Sequence, residues 1–108
     1  MKVETIIDNM IIHAQKVVKY CEEIESPDDF LLNSVIVEAC VFNLIQTGEL
    51  ANKLDKSFTE KHPGIPWREL YGPRNRITHD YEGVNFILVW DIIKCDLPGL
   101  IDKLKLIK

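Results

Sequence analysis

Ser26-Pro27-Asp28-Asp29-Phe30-Leu31-Leu32 opens the stretch that decides the fold. Ser26 is a helix-capping residue, Pro27 suits a first helical position, and Asp29 stands three residues after the cap. From there Phe30, Leu31, Val35, Val37, Ala39, Val41, Phe42, Leu44, Ile45 and Leu50 cover more than one face of a helix predicted to run from Pro27 to about Leu54. A helix apolar almost all round is central or packs against another chain. Glu38 and Asn43 need partners if they are buried there. Gly48 weakens the helix by about 1 kcal/mol relative to Ala and marks a bend or a close approach.

Upstream, Val3, Ile6, Ile7, Met10, Ala14, Val17, Val18, Cys21 and Ile24 recur at steps of three and four. That is one apolar stripe on a first helix from Val3 to about Ile24. His13 lies off the stripe and reads as solvated or partly covered. Downstream, Ser57 to Lys61 allows one helical turn, and His62-Pro63-Gly64-Ile65-Pro66 reads as a loop with an exposed His62. Pro66 can open the next helix, with Trp67 and Leu70 as apolar anchors, until Gly72-Pro73 restarts or kinks it. Glu82-Gly83 stops that segment and Asn85 caps the last helix. Phe86, Val89, Trp90, Ile93, Leu97, Leu100, Ile101, Leu104 and Ile107 give its stripe, which Pro98 kinks or divides. No stretch alternates with period two. The expected fold is all-α: one domain over residues 1–108, an up-and-down bundle of four main helices with short extra helical pieces.

Bulk properties narrow the function. The 108 residues carry a net charge of −4, with 46% hydrophobic and 28% charged residues, as in an ordinary soluble domain. A protein coated in positive charge for nucleic acid is excluded, but a local basic site is not. Arg68, Arg74 and Arg76 form such a spot. No unbroken apolar run reaches the roughly 20 residues of a membrane span. The start lacks the apolar block of a signal peptide, so a cytoplasmic protein is expected. Cys21, Cys40 and Cys95 are far apart in apolar contexts and read as buried reduced thiols, with no metal-ligand spacing.

Chemistry concentrates in Arg74-Asn75-Arg76-Ile77-Thr78-His79-Asp80-Tyr81. Histidine passes protons near neutral pH, and arginine presents a planar fork that fits phosphate. Together they suffice for phosphodiester chemistry without a metal. Residues five apart on a regular helix lie about 140° apart around its axis. Arg74 and His79 therefore reach one substrate only if the helix is broken or a twofold dimer brings both chains' residues to one cleft. Asp80 is too close to His79 in sequence to face the same way. The residues alone are also compatible with Arg74 paired to Glu69 or Glu82, His79 packed in the core, and Tyr81 as an amphipathic packing residue.

The stretch resembles the Arg-(Asn/Asp/His)-x3-His-x-Tyr signature of HEPN domains. With Ile65-Pro66-Trp67-Arg68, Gly72 and Gly83-Val84 around it, the chain is similar to the HepT-like toxin branch over most of its length. The resemblance implies a homodimeric, metal-independent endoribonuclease without a cofactor, the toxin of a toxin–antitoxin pair. Arg74 and His79 would be catalytic and Asn75 supporting. Tyr81 would be the site of adenylylation by an MNT-type nucleotidyltransferase antitoxin. A reading from a different class is a non-catalytic helical partner, or nucleotide-binding subunit, of a nucleotidyltransferase.

Overall fold

The first apolar stripe does form a helix, α1, from Val3 to Tyr20. It buries Ile6, Ile7, Met10, Ile11, Ala14 and Val17. In the computed structural model, residues 2–70 and 86–108 are described. α1 ends before Ile24, and a turn follows in which the Glu22 amide bonds the Lys19 carbonyl and the Ile24 amide bonds the Cys21 carbonyl. Glu22, Glu23 and Glu25 explain the early stop, because acidic side chains oppose the negative end of the helix dipole.

The central stretch is two helices rather than one. α2 spans Pro27–Leu32 and α3 spans Ser34–Ala51. Ser26 caps α2 as expected, its hydroxyl accepting from the Asp29 amide at 3.1 Å. The break comes at Asn33, which leaves the helical region (φ −103°, ψ 84°). Its side-chain oxygen accepts from the Ile36 amide at 3.1 Å. Asparagine competes with the helix ladder in this way, and so favours a cap over a helix interior.

α4, Lys56–Glu60, supplies the single turn expected near Ser57. The loop after it is pinned by Trp67, whose indole N–H donates to the Thr59 and His62 carbonyls at 3.1 and 3.0 Å. His62 is half-buried rather than exposed, because its ring lies 4.7 Å from that of Phe58. Residues 67–70 are helical, and the Leu70 amide bonds the Pro66 carbonyl, so Pro66 does open this helix.

The last helix is divided. α5 runs Phe86–Asp91, a π-helical segment runs Ile92–Asp96, and α6 runs Leu97–Ile107. Pro98 sits in the first turn of α6. It has no N–H for the carbonyl four residues back, and its ring crowds that carbonyl. The turn before it widens, and the Leu97 amide reaches back to the Ile92 carbonyl.

Four contacts fix how the long helices run. His13 meets Asn43 and Cys21 meets Cys40, so α3 runs antiparallel to α1. Lys94 meets Cys21 and Lys108 meets Asp8, so the chain from the π segment through α6 is antiparallel to α1 as well. The up-and-down, all-α bundle is thereby established for α1, α3 and α6. The described residues contain no strand. The rest of the helix entered at Pro66, the stop at Gly83 and the cap at Asn85 lie outside the described residues.

Taken by length and average composition, α3 could cross a membrane. Here it is a core helix on α1, with Asn43 and Thr47 turned inward. Its other face, with the end of α2, exposes Leu32 (84%), Val35 (74%) and Phe42 (57%).

The cap at Asn33 gives a direct test. Asn33→Ala should cost about 1 kcal/mol, the usual loss of an N-cap, read as a lowered urea midpoint. A variant as stable as the parent, with more helix by circular dichroism, would show that the side chain does not hold the break.

Candidate active site

Arg74, Asn75, His79 and Tyr81 all fall within 71–85, outside the described residues. What the structure does describe is how that stretch is delivered. On its upstream side, Ile65 and Trp67 are buried, while Arg68 is exposed. On its downstream side, Trp90 is buried against Phe30 with ring centroids 5.3 Å apart. Phe30 is fully covered and ties α2 to α5. The motif is therefore bracketed by two tryptophans that anchor both approaches in the core.

A second polar cluster lies between α1 and α3. The His13 Nδ1 and Asn43 Oδ1 atoms are 2.8 Å apart, and Asn43 Nδ2 donates to the Ala39 carbonyl at 2.8 Å. Thr47 Oγ1 donates to the Asn43 carbonyl at 2.9 Å. His13 is thus the partly covered residue expected from its place off the stripe. It is also the partner that Asn43 requires, a pairing across helices that no local pattern in the sequence announces. Glu38 is exposed and needs none.

Cysteine placement differs from expectation at one position. Cys21 and Cys40 are buried thiols, but Cys95 is exposed, on the outer side of the π segment. Among the described residues, no three His, Cys, Asp or Glu side chains gather as metal ligands would.

With this geometry in hand, comparison with known proteins places the chain among helical ribonucleases. The model of the family described as ribonuclease HepT-like matches residues 10–107, so the chain belongs to the HepT-like ribonuclease family of the HEPN superfamily. A candidate RNase of Methanocaldococcus jannaschii is 32% identical over 98 residues, covering 91% of this chain and 89% of that one. A candidate RNase of Caldanaerobacter subterraneus subsp. tengcongensis is 38% identical over 78 residues, covering 72% of this chain and 70% of its own. A protein named as probable ribonuclease HepT, from Thermococcus cleftensis, is 34% identical over 73 residues, covering 68% and 66%. No solved structure matches. The enzyme class of the chain is accordingly ribonuclease.

The α1–α3 cluster predicts a stability effect. Asn43 is only 5% exposed. Asn43→Ala removes the bond to the His13 ring and should cost about 0.5–1.5 kcal/mol. In a double-mutant cycle with His13→Ala, chemical denaturation should show the two losses to be non-additive. Simple additivity would mean that the pair does not act together.

Proposed function

We propose that this chain is a metal-independent endoribonuclease, the toxin of a toxin–antitoxin pair, working in the cytoplasm as a homodimer. The observation that carries the reading is the run from Arg74-Asn75 through His79 to Tyr81, inside the span that the ribonuclease family model matches. An RNA 2′-hydroxyl attacks the adjacent phosphate. His79 moves the proton, and Arg74 offsets the charge that builds on the phosphate oxygens. Asn75 supports the shape of the site. The products are a 2′,3′-cyclic phosphate and a 5′-hydroxyl, and DNA, which lacks the nucleophile, resists.

The exposed Leu32, Val35 and Phe42 support a homodimer, since they offer apolar surface to a second copy. Tyr81 is the proposed point of control. Adenylylation by an MNT-type nucleotidyltransferase partner would put bulk and negative charge where the RNA phosphate sits. The net charge of −4 favours a second reading, a non-catalytic subunit of such a transferase.

Incubation of the purified protein with RNA in EDTA separates the two. Cleavage should persist in EDTA and fall by about 10²–10⁴ in His79→Ala, with Arg74→Ala similarly impaired and both variants folded. Equal activity in parent and His79→Ala would overturn the assignment. No RNA loss, with stable co-purification of the transferase, would favour the second reading.

A further inference from the structure

Cys21 and Cys40 are separated by 19 residues in the chain, yet their sulfurs are 3.5 Å apart. Both side chains are fully buried. Cys40 is fixed within α3, whereas Cys21 is the first residue beyond α1, in a turn. Cys21 therefore has the freer backbone of the two, and its sulfur has a short distance left to close to the ~2.05 Å of a disulfide bond. A cation distinguishes the two thiols. The Lys94 ammonium donates to the Cys21 carbonyl at 2.6 Å and lies 4.9 Å from the centre of the Trp90 ring. The widened π turn carries this lysine to the end of α1.

We propose that Cys21 and Cys40 form an intramolecular redox site, a dithiol at rest that closes to a disulfide under a peroxide-class oxidant. Neither the ribonuclease reading nor the Arg74–His79 motif is needed for it. Cys21 is the attacking thiol. The hydrogen bond shared with Cys40 lowers its pKa, burial opposes this, and the charge of Lys94 adds to the lowering, so that it lies below the usual thiol value. The same bond, together with burial, pushes the Cys40 thiol up. The Cys21 thiolate attacks one peroxide oxygen and breaks the O–O bond, giving a sulfenic acid. The departing hydroxide and the proton lost by Cys21 make one water. The Cys40 sulfur then displaces the sulfenic hydroxyl, which leaves with the Cys40 proton as a second water. Two thiols lose two electrons and one peroxide gains them. Transient disulfides of this kind suit a reducing compartment, where they reopen with thiol reductants.

The test uses the full chain carrying Cys95→Ser, which removes the exposed thiol and leaves the buried pair intact. After hydrogen peroxide treatment, unfolding and alkylation, mass spectrometry should find one Cys21–Cys40 linked peptide that dithiothreitol dissolves. Recovery of Cys21 and Cys40 as separate alkylated thiols, or as separately over-oxidised residues, would overturn the proposal. Lys94→Met should slow disulfide formation severalfold, and Lys94→Arg should restore it. An unchanged rate in Lys94→Met would overturn the part assigned to Lys94 in favouring the Cys21 thiolate.

Discussion

Everything else in the fold is arranged around the burial of one face of α1 between two antiparallel neighbours. Ile7, Met10, Ala14 and Val17 have no measurable exposure. Each large apolar side chain buried in this way contributes about 1.5–3 kcal/mol. The same face sets where α3 and α6 pack, because a helix with a single apolar stripe buries it against both by lying in their groove. The polar contacts at its edges, His13 with Asn43 and Lys94 with Cys21, then fix the rotation and axial position of the helices.

Helix existence was legible in the spacing of apolar residues, and helix continuity was not. Ile6 to Val17 follows one period, and burial matches it, while Val3 at the start of the stripe is exposed. The break at Asn33 escaped because Leu31, Leu32, Val35 and Ile36 keep the segment apolar on both sides of the cap. Only the competition between a side-chain oxygen and the helix ladder decides it, and that is a local contest of about 1 kcal/mol. Pro98 announced the division of the last helix, and the form it takes is a wider turn before the proline.

The chemistry was legible in a different way. The Arg74–His79 spacing and the tyrosine after it carry a residue signature, which survives without any knowledge of packing. The family match over residues 10–107 supports the ribonuclease class that this signature suggested. The sulfur pair belongs to the opposite case. Cys21 and Cys40 stand in apolar surroundings, and nothing in either local sequence indicates the other. Their meeting is a product of the antiparallel packing of α1 on α3.

That packing also orders the assembly of the chain in time. α1 and α3 have only α2 between them, so their docking closes a smaller loop than the docking of α6 on α1. The contact between Asp8 and Lys108 spans nearly the whole sequence and waits for the C-terminal helix. During synthesis from the N-terminus, an α1–α3 hairpin emerges first, with part of its apolar surface uncovered until α6 arrives. A cell making this protein therefore handles a sticky half-bundle before it handles a nuclease.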